Sequence, residues 1–146
     1  MITIEAPAKL NLTLEILGKR PDNYHEIRSV VQTINLCDTL TFSDDDNIVY
    51  TSNSGEWHAE KSLVSKAVTL LTRKTGYDGG AAINVEKRIP LMAGLGGDSS
   101  AAAAVLMGLN RHWKLRFTKR DLAEMAAELG SDVPFFIYGG TCLMES

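Results

Sequence analysis

The richest chemistry in the sequence lies between Pro90 and Ser100. The run Pro90-Leu91-Met92-Ala93-Gly94-Leu95-Gly96-Gly97-Asp98-Ser99-Ser100 joins an alternating segment, Ala81-Ile83-Val85, to an alanine-rich one that begins at Ala101. Glycines let backbone N–H groups approach a polyanion closely, and a helix starting there offers unpaired donors and its positive dipole end to the same charge. A phosphate-binding loop is the functional reading, and a plain flexible turn into a helix is the other; on these residues both stay open. Neither Gly-x-x-x-x-Gly-Lys-Ser/Thr nor a dinucleotide fingerprint fits, because Ser99 stands where the latter needs its last glycine. Asp98 suits a helix N-cap, yet a carboxylate beside bound phosphates repels them unless it turns away or meets a metal.

Three further groups have usable chemistry. Lys9 and Asn11 share the polar side of an alternating stretch, and Asp132 follows a helix-ending glycine in Gly130-Ser131-Asp132-Val133-Pro134. An Asp can accept the proton of a hydroxyl nucleophile while a nearby Lys holds it ionised and balances phosphoryl charge. Equally, Lys9 can be a solvated strand residue and Asp132 the cap of a short helix. In the turn Arg20-Pro21-Asp22-Asn23-Tyr24-His25-Glu26 an aromatic ring adjoins an imidazole, a pair able to stack on a planar base and read its edge, or simply to pack.

The elements that must position these groups follow from periodicity. Ile2, Ile4, Ala6, Leu10, Leu12, Leu14 and Ile16 alternate with polar residues and predict a half-buried strand on one face, with Pro7 marking an edge or a break. Ser29–Ile34 predicts a second strand, and Thr39–Phe42 with Ile48–Thr51 around Ser43-Asp44-Asp45-Asp46-Asn47 predicts a hairpin. Leu63, Val64, Ala67, Leu70 and Leu71 recur at helical spacing within Glu60–Thr75, closed by Gly76. Ser99–Asn110 is apolar nearly all round and predicts a buried helix, while Thr118 and Asp121 predict a capping box for the next helix. Pro134–Tyr138 is strand or helix, and Gly139–Met144 opens a further strand. Strands first and helices later, with one strand between, indicate an α+β fold: a mixed or antiparallel sheet packed against helices.

Composition narrows the function classes. With 146 residues, 45% hydrophobic and net charge -3, the chain has the balance of an ordinary soluble domain that needs no disulfide or structural metal. Cys37 and Cys142 have no metal-ligand or Cys-x-x-Cys spacing, which suits a reducing cytoplasm. The acidic balance provides no general field for nucleic acid, and no apolar run reaches the roughly 18 residues of a membrane span. Lys9, Lys19, Arg20 and Arg28 nevertheless crowd the first thirty residues, either as a local pocket for a small anion or as a solvated face.

In chain order, Pro7-Ala8-Lys9-Leu10-Asn11-Leu12, the Pro21-Asp22-Asn23-Tyr24-His25-Glu26 turn, the glycine-serine loop and Asp132-Val133-Pro134-Phe135-Phe136 resemble the GHMP small-molecule kinases. The turn is similar to the branch of that family acting in non-mevalonate isoprenoid precursor synthesis. The resemblance implies ATP-dependent phosphorylation of an alcohol on a small substrate carrying a cytidine diphosphate. By the same resemblance Asp132 is the base, Lys9 its electrostatic partner and Asn11 a polyol contact. Tyr24 would stack on cytosine, His25 would read its edge, and Pro90 to Ser100 would wrap the ATP phosphates with Mg2+ alongside. The sequence departs from the family pattern at Asp98 and near Met92, where glycine is usual, at Ala101, where a polar residue is usual, and at Ser62, where Asn is common. The family generally continues into a second α+β domain, so residues 1–146 are expected to be an amino-terminal ATP-binding domain. A nucleotide-binding module without chemistry and another GHMP kinase are the alternatives.

Overall fold

A computed structural model describes residues 1–145. Strand β1, Ile2–Lys19, and strand β2, His25–Ser43, form one long antiparallel hairpin. The two segments predicted within 29–42 are thus a single strand. A short strand β3, Ile48–Ser52, leads through a 3-10 turn, Ala59–Lys61, into helix α1, Leu63–Thr75, and back to strand β4, Ala81–Glu86. Helices α2, Gly97–His112, α3, Lys119–Ala127, and α4, Val133–Tyr138, follow, and strand β5, Thr141–Glu145, ends the described chain. The sheet runs β1-β2-β4-β3, with β5 paired antiparallel to the outer part of β2. The α+β expectation holds, and Pro7 lies on an edge strand as its missing N–H requires. Among the described residues no helix is long and apolar enough to cross a membrane.

The local signals that set these elements are visible in the caps. Ser62 accepts a hydrogen bond from the Val64 N–H at 3.1 Å to start α1, and Gly76 ends it in the left-handed region at φ 69°. Thr118 and Asp121 form the reciprocal capping box of α3, as their spacing predicts. Pro134-Phe135-Phe136 resolves as helix, since a proline in a helix's first turn costs no hydrogen bond.

Two expectations are corrected. Residues 39–51 do not form a hairpin: β4 lies between β2 and β3, antiparallel to the first and parallel to the second. The alternating burial of β4 demands a central place, whereas half-exposed β3 suits an edge. Gly80 allows this arrangement, because a Cβ there would lie 2.2 Å from the Asp45 carbonyl oxygen in the acidic turn. The second correction concerns β1. Ile4, Ala6 and Ala8 are buried, but Leu10 is 42% exposed and Ile16 67%. Between Asn11 and Thr13 strand β1 advances two residues while β2 advances one, from Val31 to Val30. The extra residue, Leu12, turns the alternation over, so Leu10 and Leu14 point to opposite faces of an arm that extends beyond the helical layer.

The core lies between the inner sheet and α1 and α2. Leu40, Phe42, Ile83 and Val85 meet Val64, Leu71 and the Ala101–Leu106 face of α2, all essentially buried. Small residues let α2 approach closely. At Gly108 the Phe42 ring occupies the side-chain space itself, since a Cβ would fall 2.1 Å from Phe42 Cε2. Gly108→Ala therefore forces the largest fully buried side chain out of place, and a loss of about 1–3 kcal/mol is expected in urea denaturation. An unchanged midpoint would show that the ring has room to move.

Candidate active site

Strand β1, the glycine loop and α4 converge on Gly96. The Lys9 N–H donates to the Leu95 carbonyl at 2.8 Å, tying β1 to the loop. A Cβ on Gly96 would stand 2.8 Å from Lys9 Cγ and 2.9 Å from Phe136 Cζ, and its φ is +73°. Only glycine satisfies that backbone and that crowding together. Met92, Gly94 and Gly96 are all left-handed, at φ 56°, 75° and 73°, so the loop coils before Gly96 becomes the N-cap of α2.

The helix then presents its first turn. The Ser100 N–H closes on the Gly96 carbonyl at 2.9 Å, so it is spent within the helix, leaving the donors of Gly97, Asp98 and Ser99 for a ligand. The Ser100 hydroxyl is buried and has no partner among the described residues. Asp98 is the second residue of α2 rather than its N-cap. Its carboxylate accepts from Ser62 Oγ at 2.5 Å and from the Leu63 N–H at 3.1 Å, so it is turned toward the start of α1. Two departures from the family pattern, Ser62 and Asp98, are therefore partners. Asp98, although in the first turn of α2, spends its acceptors at the start of α1 and leaves the backbone donors of α2 uncapped.

Pro90 to Asp98 line a cavity of about 350 Å³, completed by Trp57, His58, Lys61, Ser62 and Lys87. Lys9, only 9% exposed, donates through Nζ to Asn11 Oδ1 at 3.1 Å. Asp132 occupies the N-cap position of α4 but makes no side-chain capping bond, so its carboxylate is not committed to the helix. Lys9 and Asp132 lie on the two elements that meet at Gly96, although no ion pair joins them among the described residues. Tyr24, 72% exposed, and His25 stand at the tip of the β1–β2 arm, outside the cavity lining. Their turn is ordered by Asn23 at φ 70°, by the Tyr24 N–H donating to Asp22 Oδ1 at 3.1 Å and by an Arg20–Asp22 ion pair at 3.0 Å. Arg28 is likewise paired, with Glu145 at 3.0 Å, so of the early basic cluster two members are locally neutralised.

Sequence reasoning missed the floor of the loop. Asp38 is wholly buried, and its Oδ1 accepts from the N–H groups of Arg88 at 2.6 Å and Ile89 at 2.8 Å, while Oδ2 pairs with Lys87 Nζ. The available signal was a lone acid inside the largely apolar run Ile34–Leu40.

A family model described as the GHMP kinases N terminal domain matches residues 62–140, from the start of α1 through the loop to the end of α4. The chain belongs to the GHMP kinases. Among curated relatives, a GHMP protein of Dehalococcoides mccartyi named 4-diphosphocytidyl-2-C-methyl-D-erythritol kinase is 54% identical over 99% of this chain and 51% of its own length. One of the same name from Bacillus cereus is 44% identical over 97% of this chain and 50% of its own. The solved structure of a 4-(cytidine 5'-diphospho)-2C-methyl-D-erythritol kinase superposes with a TM-score of 0.87 at 36% identity, covering 99% of this chain and 52% of that one. A mevalonate kinase from Methanococcus jannaschii, at 16% identity and a TM-score of 0.76, shares the GHMP fold. The chain spans about half the length of the curated relatives it matches.

The Ser62–Asp98 link makes a measurable claim about how this GHMP domain joins its two main helices. A double-mutant cycle of Ser62→Ala and Asp98→Ala, read by urea denaturation, is expected to give a coupling energy of about 1 kcal/mol or more. Strict additivity would mean that the two side chains act independently.

Proposed function

We propose that the chain is the catalytic-motif half of an ATP-dependent kinase that phosphorylates the 2-hydroxyl of 4-diphosphocytidyl-2-C-methyl-D-erythritol in non-mevalonate isoprenoid precursor synthesis. The observation that carries this reading is the convergence at Gly96, where the Lys9 strand and the helix headed by Asp132 abut the loop that opens α2. The names of the relatives and of the solved structure at 36% identity support the same substrate.

The chemistry follows from the parts. The backbone donors at Gly97, Asp98 and Ser99 and the positive end of α2 would hold the phosphates of ATP along Pro90–Ser100. The substrate hydroxyl oxygen attacks the γ-phosphorus, its proton passes to the Asp132 carboxylate, and the bond from the γ-phosphorus to the bridging oxygen breaks to release ADP. Lys9 supplies positive charge beside that transfer and, through its bond to Asn11, fixes an amide able to meet the polyol. Tyr24 would stack on cytosine and His25 would read its edge at the tip of the arm.

For Mg2+ the chain offers one uncommitted oxygen near the loop: Ser100 Oγ is buried and unpartnered among the described residues and is the group that would hold a hard cation, whereas no cluster of three His, Cys, Asp or Glu residues is present among them. When bound, the metal would neutralise charge on the β- and γ-phosphate oxygens. A nucleotide-binding module without chemistry rests on Asp98 and on the second domain that the family generally has; the first ground weakens, because the Asp98 carboxylate is taken up by Ser62 and Leu63.

The relatives' additional length also supports the reading. Leu10, Leu12, Leu14 and Ile16 are exposed beside the proposed cytidine contacts, and a second domain of the kinase would cover them. The test is phosphoryl transfer from ATP to the diphosphocytidyl substrate, by this chain alone and by this chain fused to the carboxyl-terminal half of the Dehalococcoides relative. Transfer is expected at least from the fusion, falling by about 10²–10⁴-fold in Asp132→Ala while ATP still binds. Tyr24→Ala should weaken the cytidine substrate by about 1–3 kcal/mol. Absence of transfer by both forms at saturating substrates would falsify the kinase reading.

A further inference from the structure

We infer that Asp38, through Lys87 and Ile89, is the positioning residue that sets where the glycine loop presents its donors. The inference rests on the kinase reading above for its ligand, while the contacts that motivate it stand on their own.

Asp38 sits at the residue where β2 and β4 part company. The β2–β4 register ends at Thr39 opposite Glu86, and the next residues, Lys87-Arg88-Ile89, leave the sheet for the loop. Beyond that point the Asp38 carboxylate takes over as acceptor. One oxygen receives the N–H groups of both Arg88 and Ile89, and the other receives the Lys87 ammonium. Side chains thus hold a segment that has left its strand partner: Asn53 clamps the Lys87 backbone, accepting its N–H at 2.7 Å and donating to its carbonyl at 3.2 Å, and Asp38 alone accepts the N–H groups of the two residues that follow.

The held segment then supports the far end of the loop. Ile89 is 2% exposed, and its Cγ2 lies 3.1 Å from where a Cβ on Gly97 would stand; Lys87 Nζ lies 3.5 Å from the same point. Gly97 is the first residue of α2 and the first free donor of its turn. Residues 90–96 run between Ile89 and Gly97, pinned near their far end by the Lys9–Leu95 bond, and Asp38 fixes the end at Ile89 and, through Ile89, buttresses Gly97. Its charge matters as well as its shape. Lys87 is nearly buried, and without Asp38 its ammonium would seek another anion or water, drawing the 87–89 segment with it. Asp38 reaches the ligand only through these residues, so its role is positioning.

The experiment compares the 146-residue chain with its Asp38→Asn variant, which keeps the side-chain shape and removes the charge. Amide hydrogen exchange is expected to quicken at least roughly tenfold at Arg88 and Ile89, whose N–H groups the carboxylate accepts, while the α3 amides keep wild-type rates. ATP affinity should fall at least about tenfold, with adenosine affinity held within about twofold, because adenosine makes no phosphate contact. Unchanged exchange at Arg88 and Ile89, or equal weakening of ATP and adenosine, overturns the inference. Should the 146-residue wild type not bind ATP, the affinity comparison is made in the fusion with the carboxyl-terminal half of the Dehalococcoides relative, and failure there sinks the kinase reading instead; the exchange comparison still decides whether Asp38 holds the loop. Should Asp38→Asn fail to fold by circular dichroism, Lys87→Met carries the exchange readout alone, because Lys87 lines the cavity and its loss would weaken ATP directly; at least roughly threefold faster exchange at Arg88 and Ile89 is expected, and unchanged exchange overturns the inference.

Discussion

A buried carboxylate paired with a buried ammonium is the constraint on which the loop, and through it the site, depends. Taking both charges out of water is costly, and breaking such a pair by removing one member typically costs about 3–5 kcal/mol. Asp38 and Lys87 are tolerated because the carboxylate also satisfies two backbone donors that the end of the ladder would otherwise strand. An apolar pair of the same volume would leave the Arg88 and Ile89 N–H groups without acceptors. The pair is therefore structural punctuation: it stops the sheet, turns the chain and gives the flexible glycine run a rigid root.

The two long helices use their positive ends differently. The start of α1 is discharged within the protein by Asp98, with Ser62 as intermediary. The start of α2 has Gly96 as its N-cap, with no side chain to satisfy its donors. That asymmetry concentrates the available positive potential at one place in a chain whose net charge is -3. Asp98, which reads as a hazard to phosphate binding in the sequence, removes a competing anion site next door.

What the sequence made legible was local. The Ser62 and Gly76 limits of α1, the Thr118–Asp121 box and the glycine loop each depend on residues within a few positions of one another. The motif residues Lys9, Asn11, Asp132, Tyr24 and His25 are also legible in the sequence, but only the fold brings the two elements that carry the first three, β1 and α4, to Gly96 and leaves the last two on an arm. The misread hairpin at 39–51 fails because β4, thirty residues later, inserts between its strands, a non-local event that no turn residue announces. The misjudged face of β1 fails for two reasons. Burial requires a covering layer, which alternation cannot report, and the extra residue at Leu12 silently reverses the alternation. Asp38 belongs to no motif, and its partners lie about fifty positions away in the chain.

Strand β2 runs without interruption from His25, beside the aromatic tip, to Ser43, beside the core ring Phe42. Its inner end fixes Asp38 under the loop, and its outer end carries the turn that holds Tyr24. A strand's side chains alternate with period two, so gaining or losing a single residue anywhere between would invert every contact on one side of the change. The arm can therefore diverge among descendants of this chain by exchanging side chains, but hardly by altering its length. Of its three irregularities, two place an extra residue, Leu12 and Leu17, on the edge strand β1, and the third, between Pro7 and Lys9, places extra residues on β2 between Thr33 and Cys37. Natural variation in what the tip recognises should accordingly be written in residue identity along the regular ladder, with changes of length confined to these three irregular points.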